Sequence, residues 1–150
     1  MMTRTGLCIT LSIALASLLA PPAYAQLTLN EVQKLLASDK ANYDYFGRSV
    51  AIDGDTAVIG AFAQDDSGLT NNGAAYVFTR SAGTWTEQAK LLASDKADED
   101  SFGFSVAVDG DTAVIGAYGD SHNGTFRNGA AYVFTRSAGT WTQQAKLLAS

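Results

Sequence analysis

The chain has 150 residues, with ten lysines and arginines against fifteen aspartates and glutamates, and a formal net charge of −5 at pH 7. An acidic chain lacks the basic surface that nucleic-acid phosphates demand, so nucleic acid is excluded as a partner. Cys8 is the single cysteine. No disulfide can form within one chain, which leaves packing or a bound ion to stabilise the fold.

The first 25 residues have the features of a secretory signal peptide. Arg4 precedes an uncharged, largely apolar run over residues 6–20, and Pro21-Pro22 ends that run. Ala23-Tyr24-Ala25 has the small residues of a cleavage site, so we expect cleavage after Ala25. A membrane anchor is the alternative, but a run of about 15 residues is shorter than the ~20 that cross a bilayer. We predict a secreted, periplasmic or cell-surface protein with no membrane span after signal removal.

The rest of the chain is dominated by an internal repeat. Residues 34–89 and 90–145 align without a gap, and 41 of the 56 aligned residues are identical. A third copy begins at Lys146. A fixed period of this length indicates one supersecondary unit used repeatedly, whose apolar faces are covered by neighbouring units.

Each repeat predicts four antiparallel strands. In the first repeat they are residues 49–52, 56–61, 73–79 and 85–91, and in the second the first strand is 106–108. Asp53-Gly54-Asp55 predicts a tight hairpin, and Gly83 suits a left-handed turn position. Residues 64–72 and 94–101 are predicted loops. Apolar residues on both faces predict that the first three strands are covered on both sides, whereas the alternating fourth strand suits an outer edge.

Four-stranded sheets in series predict an all-β fold made of β-propeller blades. Residues 27–37 match the fourth strand of a repeat from Gln33 onward, so they predict an orphan outer strand that could complete a blade. The predicted organisation is a signal peptide (1–25), an N-terminal strand (26–37), a first repeat (38–93) and a second repeat (94–150). This is a partial propeller of two complete blades plus one outer strand.

The repeats resemble FG-GAP repeats, the units of integrin α-subunit propellers and of bacterial secreted proteins. The residues that carry the resemblance are Phe46, Gly47, Gly60 and Ala61 in the first repeat and Phe102, Gly103, Gly116 and Ala117 in the second. Phe62 and Tyr118 stand where the family has proline. The resemblance implies a propeller, commonly of seven blades, that acts in extracellular binding or adhesion.

Calcium is the one cofactor that the sequence leaves open. Many FG-GAP repeats resemble an EF-hand loop between their first two strands, but the turns at 53–55 and 109–111 are too short to surround an ion that takes six to eight oxygens. Acidic residues also recur before each Phe-Gly, and these weak calcium candidates are Asp39, Asn42, Asp44, Asp95, Asp98 and Asp100. A solvated acidic loop is the alternative interpretation.

No catalytic constellation is visible. His122 is the single histidine and lies in a loop, where a surface position is expected. Acids are plentiful, but nothing marks two of them as opposed across a cleft. The recurring aromatic residues could form a carbohydrate-stacking stripe, although packing in the blade core is the expected role. They are Tyr76, Phe78, Trp85, Tyr132, Phe134 and Trp141.

Two classes of function remain. Of the 15 differences between the repeats, nine fall at 62–71 or 118–127, so any ligand contacts are expected on loops. The first hypothesis is a non-enzymatic extracellular module for binding, adhesion or scaffolding, whose protein or glycan ligand is not identified. The alternative is a carbohydrate-active enzyme or a lectin on the same architecture.

Two blades do not close a ring, since propellers use ~4–8. The sequence leaves three explanations open: a piece of a longer repeat protein, self-assembly of several chains into one ring, or two sheets stacked as a small sandwich.

Overall fold

The structure, a computed structural model, describes residues 31–149. The predicted signal peptide and the first residues of the predicted N-terminal strand lie outside the described residues. Within 31–149 all regular structure is β, which confirms the predicted fold class. The strands are β1 (Ser49–Asp53), β2 (Thr56–Ala61), β3 (Ala74–Ser81), β4 (Thr84–Leu91), β5 (Phe102–Asp109), β6 (Thr112–Ala117), β7 (Ala130–Ser137) and β8 (Thr140–Leu148).

The eight strands form two four-stranded antiparallel sheets, with the orders β1-β2-β3-β4 and β5-β6-β7-β8. We call them sheet 1 and sheet 2. Each sheet is a meander of neighbouring strands, as in a propeller blade. The two sheets form a partial propeller that does not close into a ring within the described residues.

Short turns join the strands at one end of each sheet. Asp53 pairs with Thr56, so Gly54 and Asp55 form a two-residue hairpin, and Gly54 has a φ of +54°. Ser81 pairs with Thr84 around Ala82 (φ +48°) and Gly83 (φ +81°). Two positive φ values are the mark of a type I′ turn, whose twist matches that of the strands. The predicted left-handed glycine is therefore confirmed.

Ala82 is the less suitable of these two turn residues, since its Cβ penalises a left-handed backbone. Replacing it by asparagine, the preferred residue at this turn position, is expected to raise the free energy of unfolding by about 0.5 kcal/mol. Urea denaturation measures the change as a higher midpoint at constant slope. The same substitution at the equivalent Ala138 (φ +48°) should give an equal gain, and a fall in both midpoints would contradict the turn geometry.

The core lies between the sheets. Each sheet has a valine face and a tyrosine face, since cross-strand partners point to the same side. In sheet 1 the valine face carries Val58, Ala75, Val77 and Leu91, and the tyrosine face carries Ile59, Tyr76 and Phe78. The valine face of sheet 1 packs on the tyrosine face of sheet 2, which carries Ala113, Ile115, Tyr132 and Phe134. The tyrosine face of sheet 1 packs against Leu35, Ala37, Phe46 and Trp85.

Three details differ from the sequence predictions. Strand β5 begins at Phe102 instead of 106, because Phe102 pairs with Ala117 across a register shift that ends at Ser105. Strand β1 is not covered on both sides, since Val50 and Ile52 are 67% and 65% exposed. Residues 31–37 belong to no strand. That segment instead bonds to β4 through side chains, with Gln33 Nε2 donating to the Trp85 carbonyl at 2.7 Å.

Candidate functional site

Of the motif residues, Gly60 and Ala61 of the first repeat and Phe102 and Gly103 of the second lie where the sheets meet, whereas Phe46 packs on the other face of sheet 1 and Gly47 and Gly116 face no second sheet among the described residues. Phe102 is buried, with its ring centroid 5.4 Å from that of Tyr132 and 6.0 Å from that of Phe134 in edge contacts. A Cβ added at Gly60 would overlap the Gly103 carbonyl, and one at Gly103 would overlap the Ala74 carbonyl. Glycine is therefore required for the backbones of the two sheets to approach each other. These motif residues serve packing between repeats.

Three backbone hydrogen bonds, which we call the clasp, join the linker between β4 and β5 and the first residue of β5 to the loop between β2 and β3. The N–H groups of Glu99, Ser101 and Phe102 donate to the carbonyls of Thr70, Asn71 and Asn72 at 2.9, 3.0 and 3.0 Å. Side chains extend the clasp, since Lys96 pairs with Asp66 and Asp98 Oδ1 accepts from the Thr70 N–H at 2.7 Å. The linker thus fixes the position of one repeat on the next.

The six calcium candidates are divided among different contacts. Asp39 accepts from the Tyr76 hydroxyl and from Lys90 Nζ, both at 2.7 Å. Asp44 and Asp100 are buried, and each accepts from a backbone N–H in its own linker at 2.6 Å. In residues 31–149 no group of three or more acidic, histidine or cysteine side chains is placed to hold a metal. The described residues therefore contain no assembled calcium site, and calcium binding stays a prediction.

The buried Asp120 is the centre of a cluster of charged side chains in the second repeat. Its side chain, 4% exposed, accepts from Lys146 Nζ at 2.6 Å. Lys146 also bonds to Asp95 at 2.7 Å, and the Tyr132 hydroxyl lies 2.9 Å from an oxygen of each carboxylate. Burial alone raises the pKa of Asp120, but hydrogen bonds from Lys146, His122 and Tyr132 outweigh it and hold that pKa below its ordinary value. Burial lowers the pKa of Lys146, and the two aspartates more than offset this.

His122 belongs to the same cluster, and the expected surface position is wrong for its side chain, which is only 9% exposed. Nδ1 lies 2.9 Å from Asp120 Oδ1 and Nε2 lies 2.8 Å from Asn128 Nδ2. Asn128 Oδ1 accepts the His122 backbone N–H at 3.1 Å, so its amide nitrogen faces the ring. Nε2 is therefore the acceptor and Nδ1 carries the proton. Both ring nitrogens therefore have hydrogen-bond partners within the fold.

An exposed row of four aromatic rings crosses both repeats at the loop end of the sheets. We call Tyr45, Phe62, Phe104 and Tyr118 the aromatic row. Tyr45 stacks on Phe62 with centroids 5.2 Å apart, Phe62 meets Phe104 edge-on at 5.5 Å, and Phe104 meets Tyr118 at 4.5 Å. Tyr45, Phe104 and Tyr118 are exposed and Phe62 is partly exposed. The row is a rigid apolar platform in contact with solvent.

The aromatic residues that recur at the repeat period do not indicate this row. Those residues are mostly core, as expected: Tyr76, Phe78, Tyr132, Phe134 and Trp141 are buried and Trp85 is half-buried. The row instead uses positions where the repeats differ. Phe62 and Tyr118 follow the Gly-Ala steps, and Tyr45 and Phe104 are replaced by Ser101 and Arg48 in the other repeat. Aromatic residues at positions that differ between the repeats are the sequence feature that could have predicted the aromatic row.

Comparison with known proteins gives one family. The model of the FG-GAP repeat family matches residues 29–78 and 85–134, so its matches cover two thirds of the chain. No curated protein matches the chain. Within the described part of the chain, no helix is long and apolar enough to cross a membrane.

Proposed function

We propose, from the premise that the chain belongs to the FG-GAP repeat family, that it is an exported, non-enzymatic module that binds an extracellular protein or glycan. The aromatic row carries this proposal. Four mutually packed rings held open to solvent are costly unless a partner covers them. The loop position of the row agrees with the concentration of differences between the repeats in the same region.

The non-enzymatic part of the proposal is supported by how the polar groups of the described residues are used. Asp120, His122 and Lys146 satisfy one another, and Asp39 is paired with Lys90. A catalytic acid or base needs a free, reachable proton site in a cleft. These groups are instead committed to joining strands and linkers. Export is supported by the sequence of residues 1–25 and by the extracellular occurrence of FG-GAP repeats.

The proposal is tested by binding of the purified chain to immobilised polysaccharides and glycoproteins, with product release followed in the same samples. We expect retention without turnover, and at least a tenfold weaker affinity for Phe104→Ser and Tyr118→Ser, because each removes a ring from the platform. Phe126→Ser is the matched control, since Phe126 is an exposed aromatic residue outside the row. Product release by the wild-type chain would contradict the non-enzymatic proposal, and unchanged retention of both row variants would contradict the assignment of the platform.

A further inference from the structure

We propose that Asn123 is a site of spontaneous covalent modification, at which the side-chain amide is lost by attack of the following backbone nitrogen. The chain has three Asn-Gly steps, which begin at Asn72, Asn123 and Asn128. Glycine has no side chain that would obstruct the attack or restrict rotation of the backbone. The three steps share one chemistry and differ in how the fold holds them, and that difference carries the inference. It does not rest on the proposed ligand binding.

The reaction needs no enzyme and no reactant except water. The backbone nitrogen of Gly124 forms a bond to Cγ of Asn123, the bond from Cγ to Nδ2 breaks, and ammonia leaves with the proton of the Gly124 N–H. Water then opens the five-membered imide at either carbonyl, which gives aspartate or isoaspartate. Each product replaces a neutral amide by a carboxylate. Because both reacting groups belong to one chain, the geometry of the chain sets the rate.

The step at Asn72 is locked on both of its reacting groups. Asn72 is fully buried, and its Oδ1 accepts from the Asp66 N–H at 2.8 Å. The attacking nitrogen would be that of Gly73, whose N–H donates to the Gln64 carbonyl at 2.9 Å. Ring closure here requires that buried hydrogen bonds between two ends of a loop break first.

The step at Asn128 is locked in the same way. The His122 backbone N–H donates to Asn128 Oδ1 at 3.1 Å, and Asn128 Nδ2 lies 2.8 Å from His122 Nε2. The N–H of Gly129 donates to the Asp120 carbonyl at 2.9 Å. This asparagine therefore reacts only if the cluster around Asp120 comes apart.

Asn123 and Gly124 instead form the tip of an exposed turn. The Thr125 N–H donates to the His122 carbonyl at 3.0 Å, and the φ values of Asn123 and Gly124 are +53° and +73°, as in a type I′ turn. The N–H that closes such a turn is the one after its two central residues, so the Gly124 N–H has no backbone partner. Within residues 31–149, neither this N–H nor the Asn123 amide makes a hydrogen bond, and both residues are exposed.

Ring closure also requires rotation of the backbone between Asn123 and Gly124, so the turn must open locally. A single backbone hydrogen bond closes it, and a Cβ added at Gly124 would meet no described atom within 4 Å, so the tip has space to move. Local opening of an exposed loop tip costs little free energy, whereas opening of buried, hydrogen-bonded backbone costs much more. Asn123 should therefore react almost as fast as in an unfolded chain.

The first repeat contains the same turn without the amide. Ser67 (φ +56°) and Gly68 (φ +81°) occupy the positions of Asn123 and Gly124, and the Leu69 N–H donates to the Asp66 carbonyl at 3.0 Å. Ser67 is exposed, as Asn123 is. The chain thus supplies a matched position at which the side chain alone differs in its capacity to react.

The test is incubation of the purified full chain at neutral pH, followed by peptide mapping with mass spectrometry that distinguishes amide, aspartate and isoaspartate. Synthetic peptides that span each Asn-Gly step give the three rates without the fold. We expect Asn123 to react within ~10-fold of its peptide, and Asn72 and Asn128 to react at least ~100-fold more slowly than theirs. Protection of Asn123 as strong as that of the other two would overturn the proposal.

Two exchanges between the repeats test whether the turn is the cause. Asn123→Ser copies the first repeat, so it should keep the turn and remove the acidic form that ion exchange separates. Ser67→Asn should transfer the reaction, with a new acidic form that maps to position 67. Persistence of the acidic form in Asn123→Ser would place the modification elsewhere. A Ser67→Asn chain that keeps its amide while Asn123 loses its own would contradict the turn as the cause.

Discussion

Replacing Gly60 by alanine is expected to lower the free energy of unfolding by about 3 kcal/mol, because the added methyl group has no space. Its Cβ would overlap the backbone carbonyl of Gly103 in the facing sheet. A backbone carbonyl cannot rotate away as the end of a side chain can, so the two sheets must separate. Urea denaturation followed by tryptophan fluorescence measures the loss as a lower midpoint.

Gly116→Ala is the internal control for this prediction. Gly116 occupies the equivalent position in sheet 2, but its Cβ would meet the Ser105 hydroxyl, which can turn to another rotamer. We expect a loss of less than about 1 kcal/mol in the monomer, since no backbone of a facing sheet is near. Equal losses at the two positions would show that the effect is intrinsic to the strand and unrelated to the approach of the sheets.

Replacing Lys146 by methionine is expected to cost about 3 kcal/mol at pH 7. Methionine keeps much of the apolar stem and removes the charge, so the buried Asp120 and the neighbouring Asp95 lose their shared cation. Since the pKa of Asp120 lies below its ordinary value of 3.8, the stabilisation is present above that pH and is lost as the pH falls through the lowered pKa. The deficit of the variant should therefore be constant from about pH 5 to 8 and shrink below about pH 4.

Lys90→Met is the matched change in the first repeat and should cost less, about 1 kcal/mol. Gln64 stands in place of Asp120 there, and Asp66 keeps an ion pair with Lys96 when Lys90 is removed. Only Asp39 loses its cation, and its side chain is substantially exposed. Equal costs for the two lysines, or a Lys146→Met deficit that does not change with pH, would contradict the role assigned to the Asp120 cluster.

The strands could be predicted because their determinants are local. Apolar runs on both sides of Asp53-Gly54-Asp55 specify β1, β2 and the turn between them without reference to the rest of the chain. The early start of β5 could not be predicted in this way. Phe102 belongs to β5 only because it pairs with Ala117 of β6 across a register shift. The ring of Phe102 also packs on the ring of Tyr132.

The contacts of the candidate site could not be predicted from the sequence, because they depend on the three-dimensional fold. His122 is held by Asp120 and Asn128, and nothing in their spacing indicates that all three converge. The aromatic row combines a linker residue, two residues after Gly-Ala steps and one strand residue, drawn from both repeats. The acids before each Phe-Gly resemble a calcium loop in sequence, and only the fold shows that Asp39 and Asp95 each lie beside a lysine.

The matching of a valine face to a tyrosine face has a consequence for the gene. Each 56-residue repeat forms one sheet that has both a valine face and a tyrosine face. A tandem duplication in the gene therefore inserts a sheet that fits its neighbours on either side. Deletion of one 56-residue unit brings its two neighbours together, and the valine face of one again matches the tyrosine face of the other. If tandem segments of similar sequence recombine unequally, the number of units changes without creating a mismatched junction.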